Sequence, residues 1–192
     1  MTQVDNTIYF YSMHEEPYGV FSNFSAHGFE LENHYWQTSE HYFQAQKFKT
    51  TSLNDFHDVR RAKSPMQAAR RGRERKRPLR KDWESIKDDV MRRAVWAKFT
   101  THEELRELLL STGSNKLVEN TTGDFYWGCG RDGSGKNKLG VILMETREKL
   151  ASTAWYAGAV NRTPGRFLSS NRIWPRLTSS PTAARMEGRT PT

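Results

Sequence analysis

The spacing of apolar and polar residues over residues 36–50 predicts an amphipathic helix. Residues three, four and seven positions apart share one face of a helix, and this segment contains no glycine or proline to interrupt it. Thr38 or Ser39 can cap its start by accepting hydrogen bonds from the free backbone N–H groups of the first turn. The residues that we expect to face the core are Tyr42, Ala45 and Phe48.

The same spacing gives this helix a second stripe, formed by Glu40, Phe43, Gln44 and Lys47. The helix dipole favours a carboxylate in the first turn, so Glu40 stays ionised unless burial opposes this effect. A carboxylate and an amine separated by an aromatic ring and an amide are suited to a polar, planar ligand. The alternative is an ion pair on a solvated helix face, which contributes little to stability.

Before this helix, the pattern predicts β-structure on either side of a loop. Residues 7–12 are rich in β-forming side chains and predict a strand. Residues 27–36 predict a second strand or a hairpin, with Gly28 and Asn33 as turn residues. Residues 13–19, which lie between the two, predict a loop.

The segment Phe21-Ser22-Asn23-Phe24 places two aromatic rings around two small polar residues. It can press against a ligand, in which case Phe21 and Asn23 are candidate binding residues. It can also fill the core, and the sequence leaves both interpretations open.

After the central helix, apolar residues at a period of 3.6 and capping residues predict five more helices and one strand. Ser64-Pro65 is a typical helix start, Asp82 can cap another helix, and Thr101 with Glu104 forms a capping box. Trp83 stands at the start of its helix, where an indole can face a pocket. The predicted helices cover residues 52–60, 65–72, 83–99, 102–112 and 139–150, and the predicted strand covers residues 116–120.

A glycine-rich loop lies between the strand and the last helix, over residues 124–137. Its glycines permit close approach of the backbone to a ligand, and the start of the following helix can hold an anion. The pattern matches neither the Walker loop nor the dinucleotide-binding fingerprint. Asp124, Trp127 and Asn137 are the candidate ligand contacts in this loop.

Charge is distributed unevenly along the chain, which has 192 residues and a net charge of +8. Six arginines against one glutamate give residues 155–192 a charge of +5, so residues 1–154 carry only +3. We therefore predict one folded domain over residues 1–154 and a basic, disordered tail over residues 155–192. A basic run at residues 70–81, which includes Arg71, is either a solvated face or turns a subset of its arginines toward a phosphorylated ligand.

Composition excludes several classes of protein. No apolar run is long enough to cross a membrane, and the N-terminus lacks the pattern of a signal peptide. The single cysteine, Cys129, excludes an intramolecular disulfide framework and fits a cytoplasmic protein. The six histidines form no metal-binding motif, so we expect neither a metal nor another cofactor.

The remaining candidates for chemistry are carboxylates, one amine and aromatic side chains. Glu40, Asp124 and Lys47 are the candidate catalytic residues, with Trp83 and Trp127 as stacking surfaces. Carboxylates beside aromatic rings suit cleavage at an anomeric carbon, where one group stabilises positive charge or activates water and another protonates the leaving atom. A lysine can instead condense with the ring-opened sugar as a Schiff base.

Several segments, in the same order over residues 7–150, resemble the NADAR family. These segments are TSEHYFQAQKF, SPMQAARRGR, PLRKDWE, KLVEN, DFYWG and NKLGVILMETRE. The resemblance implies a compact α+β domain, mostly helical with a few short strands, that has N-glycosidase activity. It places that activity on Glu40, Trp83 and Asp124, with Lys47 as the amine that attacks C1.

The resemblance also implies two classes of substrate. One class comprises the ribosylamino-pyrimidine 5′-phosphates of early riboflavin biosynthesis, which such enzymes would discard as damaging metabolites by releasing ribose 5-phosphate. The alternative is ADP-ribose attached to guanine bases in nucleic acid. The candidate substrate-binding residues are Trp83, Trp127, Ser39, Phe21, Asn23, Arg71 and Asn137. The sequence predicts no membrane partner.

Overall fold

The computed structural model describes the backbone of residues 6–160 and the side chains of residues 6–153. Six helices and four short strands make up this part of the chain, which confirms the predicted α+β class. The strands are β1 (Thr7–Phe10), β2 (Phe29–Leu31), β3 (His34–Trp36) and β4 (Lys116–Glu119). The helices are α1 (Ser39–Gln46), α2 (Leu53–Arg60), α3 (Pro65–Gly72), α4 (Trp83–Thr101), α5 (Glu103–Ser111) and α6 (Lys138–Val160).

The strands form two separate pairs. β1 and β4 pair in parallel, with Thr7 opposite Lys116 and Phe10 opposite Glu119. β2 and β3 form the predicted antiparallel hairpin. Its turn residues are Glu32 and Asn33, whose φ angles of 54° and 62° are typical of a two-residue hairpin turn. Gly28 lies before β2 rather than in the turn, and a 3-10 turn at residues 18–21 begins inside the predicted loop, which covers residues 13–19.

Helix α1 lies at the centre of the domain, and all of its residues are buried. It packs against α2, α3 and α4. The predicted core-facing residues Tyr42, Ala45 and Phe48 are each at most 1% exposed. The helix ends at Gln46, four residues earlier than predicted.

The predicted helix caps Thr38 and Ser64 are confirmed, and Ser52 caps the helix that was predicted to begin at residue 52. Thr38, Ser52 and Ser64 each accept a hydrogen bond from the backbone N–H three residues further on. Asp82 makes no capping bond, because its carboxylate binds the Arg80 guanidinium at 2.6 and 2.9 Å. The prediction of a capping box at Thr101 is wrong, because Thr101 is the last residue of α4 and α5 begins at Glu103.

The last helix is longer than its apolar pattern predicts. It runs from Lys138 to Val160, ten residues past the predicted end at Leu150 and into the segment predicted to be the tail. The rest of that tail, residues 161–192, lies outside the described residues.

Gly72 allows the end of α3 to approach α1 closely. A Cβ atom at this position would lie 2.7 Å from Gln44 Cβ. Overpacking of this kind costs about 1–3 kcal/mol, more than the roughly 0.5–1 kcal/mol that alanine gains over glycine in a helix. We expect Gly72→Ala to lower the free energy of unfolding, measured with urea. Gly123→Ala is the matched control because nothing lies within 4 Å of its added Cβ, and equal midpoints for the two variants would contradict the expectation.

Candidate active site

One cavity of about 300 Å³ brings together most of the predicted site residues. We call it the tryptophan cavity, and it opens between α1, the start of α4 and the loop after β4. Six of the predicted residues line it: Asn23, Glu40, Lys47, Trp83, Asp124 and Trp127. Phe43 and Gln44 also line it, so the whole predicted stripe of α1 faces this space. Glu40 is only 5% exposed, and the interpretation of the stripe as a solvated helix face is therefore wrong.

Aromatic rings form one wall of the tryptophan cavity. The ring of Phe43 lies 5.0 Å from the indole of Trp83 and 5.2 Å from that of Trp127, both in edge-to-face geometry. Such contacts stabilise a buried aromatic cluster and hold each ring in one orientation. The charged groups of the cavity are therefore presented beside a rigid apolar surface.

Glu40 lies in the first turn of α1 and is held at two points. Its backbone N–H donates to the Asn23 carbonyl at 3.1 Å, and its Oε1 accepts from Gln44 Nε2 at 2.8 Å. Burial raises the pKa of the Glu40 carboxyl above its ordinary value, although the Gln44 hydrogen bond and the charges of Arg73 and Lys47 oppose the rise. A carboxylate whose pKa is raised is a stronger base than an exposed one, which suits the removal of a proton from water.

Lys47 lies two helical turns after Glu40, at the C-terminal end of α1. Its Nζ donates to the Gly72 carbonyl at 3.1 Å and lies 5.5 Å from the centre of the Trp83 ring. Burial lowers the pKa of Lys47 to about 8, although the charge of Glu40 partly opposes this. A sizeable fraction of this amine is therefore neutral near pH 7.5, and only the neutral form can attack a carbon atom.

Asp124 is fixed by the backbone of its own loop. Its Oδ1 accepts hydrogen bonds from the N–H groups of Tyr126 at 2.8 Å and Trp127 at 2.7 Å. These bonds fold the loop so that the Trp127 indole and the Asp124 carboxylate line the same cavity. Asp124 and Trp127, which were both predicted to contact the ligand, thus belong to one turn that forms part of the cavity wall.

Two residues of the predicted substrate-binding set belong to the core instead. Phe21 is 1% exposed, and its ring packs edge-to-face against Phe10 at 5.7 Å. Ser39 is fully buried and lies outside the lining of the cavity. The reason in both cases is that their side chains point into the packed interior, while the neighbouring Asn23 and Glu40 face the cavity.

Arg71 and Asn137 are also placed differently from the prediction. The Arg71 guanidinium binds the backbone carbonyl and carboxylate of Asp58 at 2.7 and 2.9 Å, which joins α3 to α2. The Asn137 side chain accepts from Glu119 N–H at 2.9 Å and donates to the Leu117 carbonyl at 2.8 Å. Neither residue lines the tryptophan cavity, and Asn137 instead fixes the end of β4.

Four charged residues that line the cavity were not among the predicted site residues: Arg73, Glu84, Lys87 and Glu119. Arg73 belongs to the basic run at residues 70–81, and it lines the cavity without an ion pair among the described residues. Lys87 lies one turn into α4 and also lines the cavity. Glu119 ends β4 within the motif KLVEN. Charge patterning could have indicated Arg73, but no local pattern distinguishes Glu119 from other strand-end carboxylates.

A second cavity of about 670 Å³ adjoins the first. We call it the methionine cavity because Met13 and Met66 line it. The two cavities share five lining residues: Ser22, Phe24, Arg73, Glu119 and Asp124. A ligand larger than a sugar phosphate can therefore extend from one cavity into the other.

Neither a metal site nor a membrane span was found in the described part of the chain. Within residues 6–153, no three histidine, cysteine, aspartate or glutamate side chains are grouped so that they could hold a metal ion. No helix described here combines the length and the apolar character that are needed to cross a membrane.

Comparison with known proteins identifies a family and close relatives. The model of the NADAR domain matches residues 9–151. The chain is 55% identical over 147 residues to N-glycosidase YbiA of Escherichia coli (strain K12), covering 77% of this chain and 90% of that protein. It is 42% identical over 149 residues to the chloroplastic riboflavin biosynthesis protein PYRR of Zea mays, covering 71% of this chain and 24% of that protein. The NMR structure of the E. coli protein YbiA superposes with a TM-score of 0.73 at 54% identity, covering 79% of this chain and 88% of that one.

Proposed function

The chain belongs to the NADAR family and is an N-glycosidase, and we propose that its substrates are the ribosylamino-pyrimidine 5′-phosphates of early riboflavin biosynthesis. The products are ribose 5-phosphate and a free aminopyrimidine. The observation that carries the proposal is the convergence of Glu40, Lys47 and Asp124 on one aromatic-walled cavity. The similarity to PYRR, which is named as a riboflavin biosynthesis protein, supports the choice of substrate.

The amine of Lys47 is suited to attack C1 of the ribose. Because its pKa is lowered to about 8, a useful fraction of the amine is neutral at physiological pH. Attack forms a bond from Lys47 Nζ to C1 and breaks the bond from C1 to the pyrimidine amine, which leaves with one added proton. The ring bond from C1 to O4′ then opens as a proton moves from Nζ to O4′, and the ring-opened sugar is held as a Schiff base on the lysine.

The two carboxylates complete the reaction. Glu40 can remove a proton from a water molecule, which adds to C1 of the Schiff base and releases the lysine as a free amine. Asp124 can stabilise the positive charge on the C1–N group, because its Oδ1 is fixed by backbone N–H groups and its Oδ2 makes no hydrogen bond among the described residues. The net reaction consumes one water molecule for each C–N bond that is broken.

Arg73 and Lys87 are the candidate partners of the 5′-phosphate. Both line the tryptophan cavity, and a guanidinium without a carboxylate partner can bind phosphate through two hydrogen bonds. No other member of the basic run lines this cavity, and Arg71, Arg77 and Arg80 are paired with carboxylates. Lys87 is paired with Glu84, so Arg73 is the principal candidate for phosphate recognition and Lys87 adds a second positive charge to the same cavity.

The proposal predicts turnover of the riboflavin intermediate by the purified protein. We expect release of ribose 5-phosphate when the protein is incubated with the ribosylamino-pyrimidine 5′-phosphate, measured against spontaneous hydrolysis. Glu40→Gln serves as the negative control because it retains the shape of the side chain. Release by the wild-type protein that does not exceed release by Glu40→Gln would contradict the proposal.

A second candidate function is removal of ADP-ribose from guanine bases. The methionine cavity favours it, because its 670 Å³ directly adjoins the tryptophan cavity and offers room for a larger nucleotide. A parallel assay with ADP-ribosylated guanosine distinguishes the two functions. Cleavage of the pyrimidine riboside alone would eliminate this second candidate.

A further inference from the structure

Glu119 lies at the boundary between the two cavities. It is the last residue of β4, and it lines both the tryptophan cavity and the methionine cavity. Lys47, by contrast, lines only the tryptophan cavity. When Lys47 attacks C1 of a substrate in the tryptophan cavity, the leaving nitrogen of that substrate can therefore point toward Glu119 and the methionine cavity.

The backbone of Glu119 is fixed on both sides. Its N–H donates to Asn137 Oδ1 at 2.9 Å, and its carbonyl accepts from the N–H groups of Thr121 at 3.0 Å and Cys129 at 2.9 Å. Two of these partners, Cys129 and Asn137, belong to the glycine-rich loop. That loop therefore holds the strand end in place, and the Glu119 side chain starts from a fixed position.

The carboxyl of Glu119 is unpaired within the described part of the chain. Its Oε2 is buried and makes no hydrogen bond among the described residues, although buried polar atoms are normally paired. Because Glu119 lines both cavities, a ligand that fills them lies beside this unpaired carboxyl. Since two other carboxylates, Glu40 and Asp124, line the same space, a protonated Glu119 that donates to the ligand is the arrangement with the least repulsion.

The electrostatic surroundings favour the protonated form. Burial, and after it the negative charges of Asp124 and Glu40, raise the pKa of Glu119 to about 7. The other charged or titratable groups that line the two cavities are Lys47, Arg73, Glu84, Lys87, Tyr126, Tyr11 and His14. The positive charge of Arg73, which lines both cavities, favours the carboxylate. A carboxyl with this pKa is protonated about half of the time at neutral pH and can act as a general acid.

We propose that Glu119 is the catalytic acid that protonates the leaving nitrogen of the substrate. This inference rests on the proposed function. As the bond from C1 to nitrogen breaks, the proton moves from the Glu119 carboxyl to that nitrogen, and the base leaves as a neutral amine. Glu40 takes a proton from the water that hydrolyses the Schiff base, and transfer of that proton to the Glu119 carboxylate closes the cycle.

The test compares three variants with the wild-type protein on the ribosylamino-pyrimidine 5′-phosphate across pH 5–10. We expect Glu119→Gln to lower kcat by about 10²–10⁴-fold, with little change in KM, because the amide cannot donate a carboxyl proton. Glu119→Asp retains an acid and should recover part of the rate. Glu30→Gln is the matched control, because this carboxylate is exposed on β2 and lines neither cavity.

The pH profile separates an acid from a structural residue. The wild-type rate should fall on the alkaline side as Glu119 loses its proton, and Glu119→Gln should lack this fall. Wild-type turnover with unchanged kcat and an unchanged profile in Glu119→Gln would overturn this inference alone. Absence of wild-type turnover would overturn the proposed function and this inference with it.

If Glu119→Gln does not fold, carbon NMR of the wild-type protein with labelled glutamate side chains gives a second measurement. We expect one carboxyl resonance to titrate near pH 7 and to be absent from the spectrum of Glu119→Asp. Titration of Glu119 at its ordinary value of about 4 would overturn the assignment, since the residue would then carry no proton to donate at neutral pH.

Discussion

Replacement of Lys47 by methionine is expected to reduce kcat/KM for the ribosylamino-pyrimidine 5′-phosphate by at least about 10³-fold, as is usual when a covalent nucleophile is removed. Methionine preserves the length and the apolar stem of the side chain, which packs beside Phe43 and Trp83. The loss should therefore reflect the missing amine rather than a collapsed cavity wall. Steady-state rates of ribose 5-phosphate release measure it.

A second lysine variant separates nucleophilic attack from a simple charge contact. Lys47→Arg keeps a positive charge at all accessible pH values but cannot form a Schiff base. We expect it to be as inactive as Lys47→Met, and we expect borohydride to link the sugar covalently to the wild-type protein only. A nearly active Lys47→Arg would show that the charge suffices. Lys49→Met is the matched control, because Lys49 is exposed and binds Glu32.

The pH dependence of the wild-type rate follows from the protonation of Lys47 and Glu119. Since the neutral amine is the nucleophile and burial lowers the Lys47 pKa to about 8, the rate should rise with pH as Lys47 loses its proton. Loss of the Glu119 proton, with a pKa of about 7, opposes the rise. The profile should therefore be bell-shaped, with its optimum between these two values.

The part of the site that lies on α1 could be predicted from the sequence, because it depends on local periodicity. Glu40 and Lys47 are seven residues apart, and any regular helix places them on one face. A cap at Thr38 fixes where the helix begins. The core positions between them, such as Tyr42, then decide which face turns inward.

The residues contributed by other elements depend on tertiary contacts that no local pattern records. Glu119 reaches the cavities because β4 pairs with β1 and its end is held by Asn137. Arg73 faces the cavity while Arg71, two residues earlier, faces Asp58 on α2. This difference arises from the position of α3 against α1 and α2, and a run of basic residues does not reveal it.

Replacement of Glu40 by glutamine is expected to lower kcat by about 10²–10⁴-fold, the range typical of a lost general base. The amide oxygen can still accept the hydrogen bond that Gln44 Nε2 donates at 2.8 Å, so the geometry of α1 should be preserved. Glu107→Gln is the matched control, because Glu107 is an exposed carboxylate on α5. Its rate should equal that of the wild-type enzyme.

The same replacement should make the protein more stable at neutral pH. Burial raises the pKa of Glu40 in the folded state above its value in the unfolded state, so the unfolded chain binds fewer protons as the pH rises and the wild-type protein loses stability. Glutamine carries no charge and avoids this loss. We therefore expect the Tm of Glu40→Gln to exceed that of the wild-type protein at pH 7 and the difference to shrink toward pH 4. If the Tm of Glu40→Gln at pH 7 is instead lower than that of the wild-type protein, the buried carboxylate stabilises the fold. The presence of Glu40 in the cavity would then be explained by stability alone.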